Sequence, residues 1–264
     1  MIGFIGCGKM ARAIIGAMTE GQGVSPKEII VFDVKERALD ATSKDFKVGS
    51  VKSNKQLVED CDIIFLAVKP QNLVEVFKEV RDFVSNEKLF VSIAAGISTE
   101  ELQRGLPKAR IVRVMPNLAC SVKESMACYT LAETATPMDR QFVEAVFSRA
   151  GKILEVEEQK MDAVTVLSGS GPGFIALFLD ALSSASIAQG LSEEEANVLA
   201  KQTLLGTARL LNEKEISPSE LVSMVASKGG VTQAGLGLFS QRKFKELVSD
   251  AVKAAVKRSM ELGK

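Results

Sequence analysis

The feature that most constrains this chain lies at its start, where the apolar run Met1-Ile-Gly-Phe-Ile5 leads directly into Gly6-Cys-Gly8-Lys-Met-Ala11. A short run that is apolar throughout reads as a strand buried on both faces. The GxGxxA turn that follows passes the chain into a helix. Gly6 permits the tight turn, Gly8 lets a pyrophosphate approach the backbone, and Ala11 allows the helix to pack closely on its strand. A helix opening near Lys9 offers free N–H groups and a positive dipole end to phosphate. Such a turn alone is a weak signal. Here it is followed by a second apolar run, Ile29–Phe32, that ends at Asp33. Strand, glycine turn, helix, strand and acidic residue in that order predict a dinucleotide site.

The rest of the first half keeps the same alternation. Strands are expected at Ile2–Ile5, Ile29–Phe32, Ile63–Ala67, Leu89–Ile93 and Ile111–Val114, then near Met126–Thr130 and at Lys152–Glu155. Helical spacing separates them at Lys9–Thr19, Asn54–Glu59, Asn72–Phe83, Ser98–Arg104 and Pro137–Ala150. Short strands alternating with helices predict a parallel sheet covered on both faces. After about Lys160 the strand pattern stops, and helices are expected at Met161–Leu167, Gly173–Gln189, Glu193–Leu211, Pro218–Ser227 and Lys243–Leu262. The fold class is therefore α/β: a Rossmann-type dinucleotide-binding domain over residues 1–157, followed by an all-helical domain over 158–264. Phe174–Leu182 is apolar almost all round and should be buried on every side, more than a helical half of this size can arrange alone. A second subunit is the simpler cover.

Composition narrows the function by exclusion. Lys plus Arg and Asp plus Glu number 33 each, so no strong field favours nucleic acid or an anionic membrane. Histidine is absent, and the chemistry proceeds without an imidazole acid, base or metal ligand. The cysteines, Cys7, Cys61, Cys120 and Cys128, have no CxxC spacing. Reduced thiols and no metal site are expected. The first strand leaves no room for a signal peptide. Later apolar stretches are broken by Gly, Ser or charge before the roughly 18 residues of a membrane span. The expectation is a cytoplasmic protein with no membrane partner.

At the end of the second strand, Asp33 is placed to accept hydrogen bonds from an adenosine ribose and to repel a 2′-phosphate, which slightly favours NADH over NADPH. Lys35 and Arg37 follow closely and could compensate a phosphate. Asp33 could equally be a turn residue capping the next helix.

Further motifs have no reason in composition alone. They are Leu66-Ala-Val-Lys-Pro70, Ser92-Ile-Ala-Ala-Gly96, Arg113-Val-Met-Pro-Asn117, Asp162-Ala-Val-Thr165, Ser168-Gly-Ser-Gly-Pro172, Ser227-Lys-Gly-Gly-Val-Thr232 and Arg258-Ser-Met-Glu-Leu-Gly263. In order and spacing this set resembles the pyrroline-5-carboxylate reductases over essentially the whole chain. Two departures stand in the substrate loop: Lys228 replaces the usual Pro of the SPGG segment, and Val231 replaces a frequent Thr or Ala. The first loosens a loop that Pro would restrict.

The resemblance implies a cofactor set of Gly6, Cys7, Gly8, Lys9, Met10, Asp33, Asn54, Ala67, Val68, Lys69, Pro70, Ala94, Ala95 and Gly96. Val68 to Pro70 would line the nicotinamide-ribose side, Asn54 the adenosine end, and Ala94 to Gly96 a second cofactor loop. Ser227, Gly229, Gly230, Val231 and Thr232 would hold the substrate, 1-pyrroline-5-carboxylate, through its carboxylate. Thr232, the catalytic candidate, would bring its hydroxyl to the ring nitrogen. The resemblance also implies a homodimer with intertwined helical domains, with room for a larger assembly of dimers. Each motif has a plainer reading: Lys69 as a surface lysine, Pro70 as a first helical residue, Gly229-Gly230 as an interhelical turn, Ser168 to Gly171 as a close helix crossing.

An imine nitrogen is far more basic than a carbonyl oxygen. It can enter protonated, and reduction to L-proline then needs no strong general acid, which suits a chain without histidine. Two other readings compete. A 3-hydroxyacid dehydrogenase would need a lysine and an asparagine where this chain has Ile175 and Leu179. A non-catalytic dinucleotide-sensing regulator would have no use for Thr232 or the second glycine pair.

Overall fold

The computed structural model describes residues 1–21 and 23–262. Two compact units divide it, one formed by Met1–Ser170 with Ala255–Lys264 and the other by Gly171–Ala254. The domain boundary expected at 157/158 falls just after the last strand, inside the first unit.

The first unit is built on one eight-stranded sheet: β1 (Ile2–Ile5), β2 (Ile29–Phe32), β3 (Gly49–Ser50), β4 (Ile63–Leu66), β5 (Leu89–Ser92), β6 (Arg110–Met115), β7 (Ser125–Leu131) and β8 (Gly151–Glu155). The order across the sheet is β3-β2-β1-β4-β5-β6-β7-β8. Helices α1 (Lys9–Thr19), α2 (Glu36–Phe46), α3 (Asn54–Asp60), α4 (Leu73–Val80), α5 (Thr99–Gly105) and α6 (Pro137–Phe147) alternate with the strands, and α7 (Met161–Val164) follows them. One apolar layer gathers Phe4, Ile14, Met18, Phe65, Tyr129 and Phe147. The other gathers Ile5, Leu57, Leu66, Phe90 and Ile111. Phe4 and Ile5, adjacent on β1, enter different layers, as a pleated strand requires. Phe4 of β1 stacks on Phe65 of β4 with centroids 4.4 Å apart. Burying side chains of this size contributes about 1.5–3 kcal/mol each.

The sheet is not wholly parallel, contrary to the sequence expectation. β7 runs antiparallel to β6, pairing Arg113 with Thr130 and Met115 with Cys128. The link between them holds only the short helical turn Leu118–Val122. A parallel return needs a crossover of about a dozen residues or more. Two elements of this unit have no forecast in the sequence, the two-residue edge strand β3 and helix α2, in which Thr42 is the buried residue.

The second unit is helical: α8 (Gly171–Ile187), α9 (Glu193–Lys214), α10 (Pro218–Val225), α11 (Val231–Gln241) and the larger part of α12 (Phe244–Leu262). Ser192 and Ser217 open α9 and α10 with capping boxes closed by Glu195 and Glu220. Phe178, Phe239 and Phe244 form an aromatic cluster, Phe239 and Phe244 lying 5.3 Å apart. Helix α11 has no forecast in the sequence; Gly235 and Gly237 depress its helix propensity and hide it among loop-like residues.

A further expectation is overturned at Ser168–Pro172, where the sequence reading interrupts the helix. The chain stays helical from Glu158 to Ile187, 30 residues long and apolar enough to cross a membrane by length and composition. The passage is made by a π-helical segment, Thr165–Ser170. Nor is Phe174–Leu182 buried within one chain: Leu177 is 69 % exposed, and Phe174, Phe178 and Leu182 also lie open.

Candidate cofactor cavity and substrate loop

β1 ends between its neighbours, and that placement builds the glycine turn. The Gly6 N–H donates to the Phe32 carbonyl of β2 at 2.8 Å, and the Ala67 N–H donates to the Ile5 carbonyl at 2.9 Å. Gly6 takes φ +103°, and a Cβ there would meet the Ala67 carbonyl oxygen at 2.7 Å. Gly8 is the opposite case. A Cβ on it would have no atom within 4 Å. It starts α1 with no side-chain cap, leaving the first N–H groups of the helix for a ligand. Ala11 is fully buried against the sheet. An open cradle at an uncapped helix N-terminus fits a dinucleotide pyrophosphate.

A cavity of about 540 Å³ lies over this turn. Its wall includes Gly6, Cys7, Gly8, Asp33, Asn54, Ala67, Val68 and Lys69, together with Lys35 from the charged pair after β2. Lys9 instead faces a separate recess beside Arg12, Phe46 and Lys123. Met10 is half-buried on α1. Pro70 opens a 3-10 turn, Pro70–Asn72, which is its plainer role. Ala94, Ala95 and Gly96 form the loop after β5, with Gly96 at φ +77°; they do not line this cavity. The wall also contains Gln71, Glu75 and Glu79, which no motif signals.

Asp33 is the turn residue of its alternative reading, but it does not cap the next helix: α2 has Lys35 as its N-cap residue and no side-chain cap. The Asp33 Oδ2 accepts the Cys7 N–H at 2.7 Å, and its Oδ1 accepts the Lys35 N–H at 2.8 Å. The first bond ties the end of β2 to the middle of the glycine turn. Each oxygen keeps a further lone pair for a ribose hydroxyl. Burial, with the Asp33 carboxylate nearby, pushes the Cys7 thiol up to about 11. Ser53 caps α3 and sets Asn54 in its first turn. The Asn54 amide donates to Glu79 at 2.7 Å, so Glu79 decides which way that amide faces.

Beside the second loop, buried Arg113 of β6 pairs with Glu158, whose other oxygen accepts the Thr99 hydroxyl at 2.8 Å. Asn117, just beyond the end of β6, is also buried. Its Oδ1 accepts the Ala119 N–H at 3.1 Å and its Nδ2 donates to the Ser168 carbonyl at 3.1 Å. The two motifs Arg113–Asn117 and Ser168–Pro172 therefore meet in space.

In the second unit, Ser227–Gly230 turns the chain from α10 into α11. The Gly230 N–H donates to the Ser227 carbonyl at 3.0 Å, and Gly229 takes φ +74°. Gly230 precedes α11 with no side-chain cap. Val231 and Thr232 therefore stand in a first helical turn whose N–H groups are open to an anion. The Gly229 N–H is already used: Oε1 of Gln233 accepts it at 2.6 Å. Among the described residues, no group of three His, Cys, Asp or Glu side chains is placed to hold a metal.

Comparison with known proteins follows the same division. Residues 158–262 match the family model for pyrroline-5-carboxylate reductase dimerisation, and residues 1–96 match that for NADP oxidoreductase, coenzyme F420-dependent. The pyrroline-5-carboxylate reductase of a Synechocystis strain is 37 % identical, covering 100 % of this chain and 98 % of its own. Among solved structures, the Plasmodium falciparum pyrroline carboxylate reductase with NADP bound superposes with a TM-score of 0.91 at 29 % identity, covering 100 % and 98 % of the two chains. The Coxiella burnetii pyrroline-5-carboxylate reductase gives 0.89 at 34 % identity with the same coverage.

Proposed function

Because this chain belongs to the pyrroline-5-carboxylate reductase family, we infer that its glycine cradle and its Ser227–Thr232 loop serve one reaction. The chain is an NAD(P)H-dependent oxidoreductase that reduces the C=N bond of 1-pyrroline-5-carboxylate to give L-proline, the last step of proline biosynthesis. The observation that carries the site reading is a pair of uncapped helix N-termini, at Gly8 and at Gly230. One suits a pyrophosphate and the other a carboxylate.

In this reading Gly6 to Met10 hold the pyrophosphate, Asp33 and Asn54 the adenosine side, and Ala67 to Pro70 with Ala94 to Gly96 the nicotinamide side. A reduced nicotinamide, when bound, supplies the hydride. Ser227 and Gly229 to Thr232 fix the substrate carboxylate, and the Thr232 hydroxyl orients the ring nitrogen, which carries its own proton. The chain accelerates the reaction by positioning the imine carbon and by fixing dipoles around the carboxylate. Ile175 and Leu179, on α8, offer nothing to a hydroxyacid mechanism.

Finer points of the reading rest on particular residues. NADH is the favoured cofactor, because the Asp33 carboxylate is held rigidly at the end of β2. The exposed apolar face of α8 is covered by a second copy of the chain, and larger assemblies would be dimers of dimers. The helical domain would begin near residue 158, where the dimerisation match also begins. The four free, buried thiols suit a reducing cytoplasm. Neither nucleic acid nor membrane enters this reading.

The deciding assay follows oxidation of NADH and of NADPH with 1-pyrroline-5-carboxylate and, in parallel, turnover of oxidised nucleotides with a panel of 3-hydroxyacids. Turnover confined to the hydroxyacids overturns the reading. Thr232→Ala should lower kcat/KM for the imine about ten- to a hundredfold, the cost of one hydrogen bond to a charged group, with cofactor affinity nearly unchanged.

A further inference from the structure

Gln233 stands one residue beyond Thr232, and its side chain returns to the loop that precedes the helix. Its Oε1 accepts the Gly229 N–H at 2.6 Å. A backbone N–H can only donate, so the amide oxygen, not the nitrogen, must face the loop. The primary amide of glutamine has the planar shape of a carboxylate, and its oxygen sits on a donor that the proposed substrate loop offers to a carboxylate. We propose that Gln233 is a built-in competitor for the substrate carboxylate, occupying the Gly229 donor until substrate displaces it. This inference rests on the reading of Ser227–Thr232 as the substrate loop.

The exchange favours substrate for stated reasons. A carboxylate makes a charge-assisted bond roughly twice as strong as that of a neutral amide. It also gains from the dipole at the start of α11, which a neutral side chain uses only weakly. Gln233 is itself exposed, so its released amide returns to water at little cost. The neighbouring residue fits the same account. Lys228 occupies the place where Pro would stiffen the turn, and a side-chain bond to Gly229 holds the free loop instead. Gln233 thus sets how much substrate is needed to fill the site, with no part in the chemical step.

The test is a set of variants at this position, assayed as the full-length protein with saturating cofactor. Gln233→Leu keeps the bulk and removes the acceptor, and Gln233→Ala removes both. Each should lower KM for 1-pyrroline-5-carboxylate about two- to tenfold, the size of one net neutral hydrogen bond, while kcat moves much less. Gln233→Glu, a stronger occupant of like charge to the substrate, should raise KM above wild type. Binding of L-proline, measured by calorimetry, should follow the same order. A KM that is unchanged or raised in both the Leu and Ala variants overturns the proposal and makes Gln233 a structural clamp. The outcome is read beside Thr232→Ala. If that variant is impaired and the Gln233 set is flat, the competitor alone is wrong; if Thr232→Ala is also unaffected, the loop is not the substrate site.

Discussion

Asn117 donates its side-chain amide to the carbonyl of Ser168, at 3.1 Å and across 51 residues of chain. The bond answers a gap made by covalent structure. Pro172 has no N–H, so the carbonyl four residues before it, that of Ser168, lacks its α-helical donor. Ser168 is fixed a second time, because its hydroxyl donates to the Met126 carbonyl of β7 at 2.6 Å. Gly169 then passes so close to Met115 that a Cβ would meet the Met115 Cε at 2.4 Å. The π-helical segment is thus held from one side by β7 and by the end of β6 with the residues that follow it.

Asn117→Asp tests this directly. The substitution keeps the acceptor for Ala119 and turns the donor toward Ser168 into a second acceptor, oxygen against oxygen in a buried place. Loss of a buried partner costs about 1–3 kcal/mol, and a charge more. Urea unfolding should show a clear loss of stability in Asn117→Asp, larger than in Asn117→Ser. Equal stability of the Asp variant and wild type would mean that the bond carries no weight.

What the sequence made legible follows from what is local. The strand Ile2–Ile5, its GxGxxA turn and Asp33 can be read because period and spacing are properties of neighbouring residues. Helix α2 escapes because its core face is thin: Ala38, Leu39 and Phe46 are only partly buried, and Thr42 is its buried member. Helix α11 escapes because Gly229, Gly230, Gly235 and Gly237 read as loop. The reversal of β7 lies in the short link after β6, which leaves no room for a crossover, whereas the continuous helix through Pro172 depends on partners far along the chain, which no local pattern reports. Glu79 belongs to the same class: its tie to Asn54 spans two helices.

The double use of Asp33 changes what its substitution should do. Replacement by Ser relieves repulsion of a 2′-phosphate, which shifts preference toward NADPH. It also removes the acceptor of the Cys7 N–H and loosens the phosphate turn. Asp33→Ser should therefore gain relative preference for NADPH while losing kcat/KM with both cofactors. Rates with each cofactor at subsaturating levels report this. A wild-type preference of tenfold or more for NADPH would instead assign specificity to Lys35 and Arg37.

Buried thiols make the fold sensitive to alkali. Burial raises Cys7, Cys61 and Cys120 to about 11. An unfolded thiol ionises near about 8.5. A raised folded value means that the native state holds protons which the unfolded chain has released. The stability these thiols contribute is complete below about 8.5 and falls as pH rises through about 11. Thermal unfolding should show Tm declining across that window, with a shallower decline in a Cys61→Ala, Cys120→Ala variant measured against its own neutral-pH value. Iodoacetamide should label the folded protein far more slowly at about pH 7.5 than the denatured chain.

The apolar face of α8 leads to the last prediction. Leu177 is 69 % exposed in one chain, with Phe174, Ile175 and Phe178 open beside it. Obligate interfaces are large and apolar, so a dimer should persist at working concentrations and the monomer should not. Shared active sites can be tested by mixing. Gly8→Asp places a carboxylate in the phosphate cradle, where a new Cβ meets no protein atom and the fold should survive. Thr232→Ala impairs the substrate loop in the other variant. If each site joins the cofactor cavity of one copy to the loop of its partner, hybrid dimers contain one intact site and one with both defects. Equal mixing with free exchange then restores about one quarter of wild-type activity, since half the dimers are hybrids and each has one good site. If subunits exchange, as followed by mass-tagged copies, and activity stays at the level of the two separate variants, each site belongs to a single chain.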